Sequence, residues 1–144
     1  GPLVIGFLDI DLFKDINDQF GHAVGDQVLV AVARQLRDSV RNHDDVIRMG
    51  GEEFLVLLPG ASRASAFARL ETVRQQVQAV TRVLAVPGLE VSGSIGLAVL
   101  RGDGDDLAAL LRRADHAMYC AKRAGRNQVF DADQAVPADE ALRV

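Results

Sequence analysis

An apolar run over residues 54–58, preceded directly by two glycines and two glutamates, limits the folds open to this chain more than any other feature. The run has the length and composition of a buried strand. Gly50 and Gly51 supply the positive φ that a tight hairpin tip needs, and residues 46–49 form a plausible entering strand. The sequence therefore predicts a β-hairpin whose tip carries Glu52 and Glu53.

The glutamate pair at this tip has two interpretations. Two carboxylates beside bare backbone suit a hard divalent cation that carries phosphates. They also suit an ordinary surface hairpin with solvated glutamates, and a four-residue motif alone favours that plainer interpretation because short motifs occur by chance. The rest of the chain decides between them.

A second apolar run, over residues 3–8, is interrupted only by Gly6 and is typical of a central strand buried on both faces. It ends at Asp9-Ile10-Asp11. Alternation places Asp9 and Asp11 on one side of the strand, at the kind of sheet edge where α/β proteins bind ligands. The alternative is that one aspartate caps the next helix, which we expect in part for Asp11.

The remaining elements follow from hydrophobic periodicity. We expect helices over about residues 12–20, 27–40, 62–80 and 107–124, and further strands over 89–100 and 128–130, with Asp26 in the first turn of the second helix as a candidate N-cap. The small residues of the 89–100 strand predict close packing against a helix or a ligand. The order of elements predicts an α/β (α+β) fold, a ferredoxin-like or palm-like βαββαβ arrangement with a mixed sheet of about five strands packed by helices.

Composition narrows the functions open to the chain. Its 144 residues favour one domain, which we place at residues 1–130, followed by a tail or linker over 131–144. The net charge of -4 argues against a general DNA, RNA or membrane-surface binder. No apolar run approaches a membrane span, so we expect no membrane insertion of this domain. The single cysteine, Cys120, fits a reducing cytoplasm.

Four separate segments together resemble the GGDEF domain family of diguanylate cyclases. They are residues 7–18 with Gly21-His22 and Gly25-Asp26, the hairpin Gly50-Gly51-Glu52-Glu53-Phe54, the triplet Ser94-Ile95-Gly96, and residues 114–127. They occur in the family's order over about residues 3–130. The resemblance implies an enzyme that condenses two GTP molecules into cyclic di-GMP and releases two pyrophosphates. It also implies Mg²⁺ or Mn²⁺ as cofactor and a homodimer in which each copy brings one GTP.

The resemblance assigns the acidic and guanine-facing residues by position. Asp9, the Ile10 carbonyl, Glu52 and Glu53 would hold metal, and the two glutamates would be catalytic, with Glu52 helping to deprotonate the attacking 3′-hydroxyl. Asn17 and Asp26 would read guanine. A buried, ionised Asp26 that accepts from guanine N1–H and N2–H₂ would be left unpaired by adenine, which predicts rejection of ATP.

The remaining substrate contacts also follow from the resemblance. Backbone amides around Leu12, Phe13 and Lys14 would cradle phosphates at a helix start, and the other matching positions are His22, Gly50, Gly51, Lys122 and Arg126. The four-residue spacing of Lys122 and Arg126 near a helix end would let them project together. Without the resemblance, both are ordinary cations at a helix C-terminus, His22 is a turn residue, and Asn17 is a local cap.

Arg41-Asn42-His43-Asp44 resembles the family's inhibitory RxxD motif, at the family's distance from Gly50. The resemblance implies that Arg41 and Asp44 bind the cyclic di-GMP product. The partner arginine usually comes from the helix after the hairpin, where Arg69 and Arg74 are available but Thr72 takes the usual place. The family's helix before the first strand and its upstream sensory domain are missing here, so we expect a fragment of low activity.

Two other functions stay open at this point. A catalytically weak or silent domain could act as a receptor for cyclic di-GMP or GTP through Arg41 and Asp44. An Asp-x-Asp phosphotransferase or phosphatase would use Asp9 and Asp11, but it leaves the hairpin motif unexplained. In each case we expect a cytoplasmic location, either free or as the cytoplasmic part of a membrane-tethered protein.

Overall fold

The computed structural model describes residues 2–102 and 104–134. Within these ranges the strands are β1 (Leu3–Ile10), β2 (Asp45–Gly50), β3 (Glu53–Pro59), β4 (Gly93–Val99) and β5 (Val129–Asp131), and the helices are α1 (Phe13–Phe20), α2 (His22–Asp38), α3 (Arg63–Leu84) and α4 (Leu107–Arg123). The predicted α+β class with a five-stranded mixed sheet is confirmed. None of the helices in the described ranges is long and apolar enough to cross a membrane.

The sheet is arranged around β1, in the order β2-β3-β1-β4-β5. β1 pairs antiparallel with both β3 and β4, while β5 lies parallel to β4. This register sets Asp9 between Glu53 on β3 and Ser94 on β4. The end of β1 is therefore flanked by the hairpin on one side and by the start of β4 on the other.

Both faces of the sheet are covered by helices, which explains why β1 is apolar along its length. On one face, Leu8 packs with the buried sides of α2 and α3. On the other face, Ile5 and Phe7 pack with Leu110 and Ala114 of α4. Burying one such aliphatic or aromatic side chain stabilises a fold by roughly 1.5–3 kcal/mol. The prediction that β1 is buried on both faces is confirmed.

The start of α2 differs from its prediction. Gly21, with a φ of 92°, ends α1 and begins α2 without an intervening loop, so α2 starts at His22 rather than at residue 27. Glycine tolerates this positive φ without steric penalty. Asp26 consequently lies inside the helix, and its assignment as an N-cap is wrong. His22 is the first helical residue and not part of a turn.

The end of the domain also differs from its prediction. β5 continues to Asp131, whose buried carboxylate accepts hydrogen bonds from Arg63 at the start of α3. Asp133 pairs with Arg63 and Arg101. Residues 131–133 therefore contact the fold, although they follow the predicted boundary at residue 130. Residues 135–144 of the predicted tail lie outside the described residues.

Gly96 lies where β4 and α4 touch. A Cβ atom added to Gly96 would lie 2.0 Å from the Ala114 carbonyl oxygen and 2.4 Å from the Met118 amide nitrogen. The helix backbone thus rests directly on the strand, and the expected close packing against this strand is confirmed. This contact sets the height of α4 above the sheet, and with it the position of Lys122.

We expect Gly96→Ala to lower the free energy of unfolding by about 3 kcal/mol, because the new methyl group collides with rigid helix backbone. Chemical denaturation would measure the change. Gly102→Ala is the matched control, since nothing lies within 4 Å of a Cβ there. If both variants unfold at the same denaturant concentration, α4 is free to move away from the sheet and the contact is not a constraint.

Candidate active site

The end of β1 and the hairpin tip meet in one acidic patch. The Ile10 amide donates to the Glu52 carbonyl at 3.1 Å, which fastens the tip of the hairpin to the end of β1. Asp9 is the direct cross-strand neighbour of Glu53. The structure therefore brings together Asp9, Ile10, Glu52 and Glu53, the four positions predicted as metal ligands.

The hairpin tip is a tight turn held by an arginine. Gly50 and Gly51 have φ values of 151° and 49°, and the β2–β3 register shifts between Arg48 and Gly50. The Arg48 guanidinium donates twice to the Gly51 carbonyl, at 2.9 and 2.7 Å. The predicted hairpin is confirmed, while the bracing role of Arg48 was not predicted, because a single arginine on a strand carries no specific signal.

The acidic patch carries more negative charge than its surroundings neutralise. Burial raises the pKa of the Asp9 carboxyl to about 6, although the charge and hydrogen bond of Lys122 lower it; Glu52 and Glu53 raise it further. Burial also raises the pKa of Glu53, and the negative charges of Asp115 and Glu52 raise it further. An arriving cation would relieve this repulsion.

The donors suit a cation that arrives with its own ligands. Within residues 2–102 and 104–134, no three Asp, Glu, His or Cys side chains are close enough to hold a metal alone. Mg²⁺ usually takes one or two protein carboxylates and completes its shell with water and phosphate oxygens. Asp9 and the hairpin glutamates offer hard oxygen donors of this kind. The site therefore fits a metal–phosphate complex better than a bare structural ion.

A cavity beside the acidic patch offers room for such a ligand. Its volume of about 510 Å³ lies within the range of small-molecule sites, and its lining residues are Asp9, Arg112, Asp115, His116, Met118, Tyr119 and Lys122. Lys122 reaches across its edge, with its Nζ 3.2 Å from Asp9 Oδ1. A phosphorylated ligand at this edge would meet both the acidic patch and a lysine.

Asp11 has a different role from the predicted helix cap. Leu12, in the left-handed region at φ 54°, is the N-cap residue of α1, and no side chain caps this helix. The Asp11 carboxylate instead accepts hydrogen bonds from Ser92 Oγ and Ser94 Oγ. The cap assignment is wrong because tertiary partners more than 80 residues away bind this carboxylate.

The first turn of α1 leaves its amides without side-chain partners. The first N–H groups of any helix lack intrahelical acceptors and favour an anion. Phe13 packs against the core, and the Lys14 side chain is exposed and paired with Asp18 at 3.0 Å. The amides of residues 12–14 are thus available in the way the phosphate-cradle interpretation requires.

The two predicted guanine-reading residues lie on helices that touch. A Cβ atom added to Gly25 would lie 1.8 Å from Asn17 Oδ1, so the Asn17 side chain packs directly against the α2 backbone at Gly25. Gly25 is the residue before Asp26, so the two predicted guanine-reading residues are close. Asp26 and His22 are exposed, and their side chains form no hydrogen bond or ion pair with a described residue. Asp26 is therefore not a buried carboxylate, and any selectivity it gives depends on a ligand covering it.

The two predicted phosphate cations do not share a helix. Lys122 is in the last turn of α4, but the helix ends at Arg123, and Arg126 follows in a left-handed turn at φ 66°. Helical spacing therefore does not bring them together, and that part of the prediction is wrong. Arg126 is exposed, and its side chain has no partner among the described residues.

Arg41 and Asp44 of the RxxD motif bind each other. The Arg41 side chain donates to both Asp44 oxygens at 3.1 and 3.0 Å, and its backbone amide donates at 2.9 Å. Burial opposes ionisation of Asp44, but these hydrogen bonds outweigh it and hold the pKa of the carboxyl below its ordinary value. The Asp44 side chain is 0% exposed. A ligand would therefore first meet Arg41.

Arg69 of α3 completes this cluster. Its Nε lies 3.9 Å from Asp44 Oδ2, and it is a buried nitrogen without a hydrogen-bond partner in the described part of the chain. Arg74 instead bonds to Glu71 and Asn127, and the Thr72 hydroxyl donates to the Ala68 carbonyl. The sequence left the partner arginine undecided between Arg69 and Arg74, and the structure places Arg69 beside the motif.

A cavity of about 480 Å³ opens at this cluster. Its lining residues are Arg37, Val40, Arg41, Asn42, Asp44, Asp45 and Val46. The Arg37 side chain forms no hydrogen bond or ion pair with a described residue. The cavity is thus a second surface, with two arginines and two aspartates in its lining, separate from the acidic patch at the end of β1.

Comparisons with known proteins give a consistent result. The sequence model of the family described as "Diguanylate cyclase, GGDEF domain" matches residues 1–128. The response regulator PleD from Caulobacter vibrioides (strain NA1000 / CB15N) is 43% identical over 130 residues, which are 89% of this chain and 29% of PleD. The chain thus spans less than a third of that relative's length.

Solved structures are similar over most of the chain. The GGDEF domain of DgcB from Caulobacter crescentus, in complex with c-di-GMP, superposes with a TM-score of 0.84 at 33% identity, covering 92% of this chain and 79% of that one. Diguanylate cyclase SiaD from Pseudomonas aeruginosa, in complex with its activator SiaC, gives 0.84 at 38% identity, covering 90% and 50%.

We expect Asp9→Asn to raise the free energy of unfolding at pH 8, on the order of 1–3 kcal/mol, and to have little effect at pH 3.5. The folded-state pKa of about 6 lies above the ordinary 3.8, so the contribution of Asp9 to stability is present below pH 3.8 and is lost as the pH rises through 6. Urea denaturation from pH 3.5 to 8 measures this.

Asp38→Asn is the matched control for this titration, because Asp38 is exposed and has no partner in the described residues. Its stability difference from wild type should not change with pH. A difference between Asp9→Asn and wild type that is equally flat would contradict the raised pKa.

Proposed function

Because this chain belongs to the GGDEF domain family, we propose that it is the catalytic domain of a diguanylate cyclase, which condenses two GTP molecules into cyclic di-GMP and two pyrophosphates. The observation that carries the proposal is the acidic patch of Asp9, Glu52 and Glu53, locked to the end of β1 by the Ile10–Glu52 hydrogen bond. Lys122 beside it supplies a phosphate-facing cation.

Asp9, the Ile10 carbonyl, Glu52 and Glu53 would hold Mg²⁺ or Mn²⁺ in this proposal. When bound with GTP, such an ion would neutralise triphosphate charge and lower the pKa of the attacking hydroxyl. The hard oxygen donors and the unrelieved negative charge of the patch support this assignment.

The chain's own groups would orient the triphosphate. The uncapped amides of Leu12, Phe13 and Lys14, together with Lys122 and Arg126, would meet its phosphate oxygens and neutralise the leaving pyrophosphate. A Cβ at either Gly50 or Gly51 would meet nothing within 4 Å, so the hairpin tip leaves open space for the nucleotide.

Asn17, Asp26 and His22 would face the base and sugar. Asp26 is solvent-exposed in the free chain, so a guanine that covers it would bury and pair its carboxylate at the same time. Adenine would bury the carboxylate without pairing it, which disfavours ATP.

The reaction needs two copies of the chain. The 3′-oxygen of one GTP would attack the α-phosphorus of the other, forming the new P–O bond as the bond to pyrophosphate breaks. The proton would pass to the glutamate pair, with Glu52 as the first acceptor and Glu53, whose pKa is raised, beside it. Each copy brings one GTP, so dimerisation assembles the reacting atoms.

We also propose that the chain works in the cytoplasm, where GTP is available, and that an upstream sensory domain would control how often two copies meet.

We further propose that cyclic di-GMP binds back at the cavity beside Arg41, Asp44 and Arg69. The Asp44 carboxylate neutralises most of the Arg41 charge, while the buried Arg69 Nε lacks a hydrogen-bond acceptor in the described residues. A guanine or phosphate oxygen would satisfy that nitrogen. A catalytically silent receptor would use this same cavity, which makes it the second candidate function.

We expect Glu52→Gln to reduce cyclic di-GMP formation at least about a hundredfold, because it removes both a metal ligand and the proton acceptor. Chromatography of products from GTP and Mg²⁺, at high protein concentration and with the chain fused to a dimeric helix, measures the rate. Glu90→Gln is the control, since Glu90 is exposed and unpaired among the described residues. A wild-type fusion that forms no product but binds cyclic di-GMP would favour the receptor.

We expect Arg69→Ala to weaken cyclic di-GMP binding about tenfold and Arg41→Ala to weaken it more, because Arg69 supplies an unsatisfied donor beside Asp44 and Arg41 lines the cavity itself. Calorimetric titration in metal-free buffer measures the affinities. Arg82→Ala, on the same helix but exposed and unpaired among the described residues, should bind as wild type does. Equal affinities for Arg69→Ala and Arg82→Ala would exclude Arg69 from the site.

A further inference from the structure

Asp11 is a buried carboxylate, 4% exposed, whose hydrogen-bonding capacity is filled by the protein. Its Oδ1 accepts from Ser94 Oγ at 2.6 Å and from Lys122 Nζ at 3.3 Å. Its Oδ2 accepts from Ser92 Oγ at 2.7 Å and from the Asn127 amide at 3.1 Å. With both oxygens engaged, Asp11 has no free position for a substrate or a metal, so its effect on a ligand must pass through other residues.

One residue bound to Asp11, Asn127, lies in a left-handed turn. Arg126 and Asn127 are consecutive non-glycine residues with φ of 66° and 49°. The left-handed region is unfavourable for Arg126 and better tolerated by Asn127, so the turn persists only where other contacts hold it. The Arg126 amide donates to the Ala121 carbonyl at 3.0 Å, but Asn127 is held from outside the turn.

Asn127 is held on two sides. Its amide donates to Asp11, and its Oδ1 accepts from Arg74 of α3 at 3.0 Å. Arg74 is itself fixed by two hydrogen bonds to Glu71 and is only 17% exposed. A continuous network thus connects the end of β1, the turn after α4, and α3.

The other partner is Lys122, which is shared between two carboxylates of different kinds. Among the described side chains, Asp9 has only Lys122 as a hydrogen-bond partner. A ligand can therefore replace Lys122 at Asp9. Asp11 is locked by three further donors and cannot turn away. When a ligand displaces Lys122 from Asp9, Asp11 still tethers the ammonium group at the site.

We propose that Asp11 is a positioning residue for both phosphate-facing cations: it fixes Lys122 directly and fixes Arg126 through the left-handed turn at Asn127. The inference rests on the proposed function, in which these two cations hold the triphosphate. A carboxylate suits the task because it is an acceptor at every lone pair. An asparagine would turn an NH₂ group toward the Asn127 amide or a serine hydroxyl, and the turn would lose its acceptor.

The test is Asp11→Asn, with inorganic tripolyphosphate plus Mg²⁺ as the probe of the cations. We expect tripolyphosphate affinity to fall about tenfold and amide hydrogen exchange at Asn127 to rise by a similar factor. Binding of cyclic di-GMP at the Arg41 cavity should not change. Asp38→Asn, which alters the same charge on an exposed and unpaired residue, should match wild type in all three measurements.

A merely structural role would change all sites together. Loss of cyclic di-GMP binding in folded Asp11→Asn, in step with the loss of tripolyphosphate, would therefore overturn the proposal, as would unchanged affinity and exchange. If wild type binds neither tripolyphosphate nor GTP, the proposed cyclase function fails first; if wild type binds both and the variant binds equally, only the role of Asp11 fails.

Arg74→Gln keeps the test decisive if Asp11→Asn does not fold. It loosens Asn127 from the opposite side and leaves the buried carboxylate intact. We expect a loss of tripolyphosphate affinity of about threefold or more, relative to Arg82→Gln on the same helix. Equal affinities for these two variants would overturn the proposal.

Discussion

The antiparallel pairing of β1 with both β3 and β4 is the constraint on which the rest of this structure depends. It places Asp9 opposite Glu53 and Ser94 and lets the Ile10 amide hold the hairpin tip. Because side chains alternate along a strand, a slip of one residue would turn Asp9 toward the opposite face and exchange the β1 side chains that pack in the two helix layers. The burial of both sheet faces therefore fixes the position of the acidic patch.

The acidic patch is held at the expense of stability. Burial raises the pKa of Asp9 and of Glu53, so ionising these carboxyls costs more free energy in the folded chain than in the unfolded one. Asp11, whose Oδ1 lies 3.3 Å from Lys122 Nζ, is stabilised by hydroxyl and amide donors instead. Asp9 and Asp11, two residues apart, thus have different roles. The oxygens of Asp9 stay available for a ligand, whereas the oxygens of Asp11 accept hydrogen bonds that order the neighbouring residues.

The second surface, at the cavity beside Arg41 and Asp44, is organised by the pairing of these two residues. Arg41 and Asp44 are bonded to each other before any ligand arrives, so the loop between α2 and β2 is already ordered. Preorganisation of this kind lowers the entropy lost on binding. The two surfaces share no described residue, and they lie at the end of β1 and at the start of β2. Catalysis and product binding can therefore be altered separately.

The sequence by itself determined the local features. Apolar runs and periodicity identified the five strands and four helices, and the glycine pair identified the hairpin, because burial and backbone preference act over a few residues. The family resemblance, rather than spacing, grouped Asp9 with Glu52 and Glu53. The tertiary structure alone decided which distant groups meet. Asp11 binds residues 81 to 116 positions away, Arg69 rather than Arg74 approaches Asp44, and Arg126 leaves the helix in a left-handed turn. These outcomes depend on how closely each helix packs on the sheet, as α4 does at Gly96. No local sequence pattern specifies that packing.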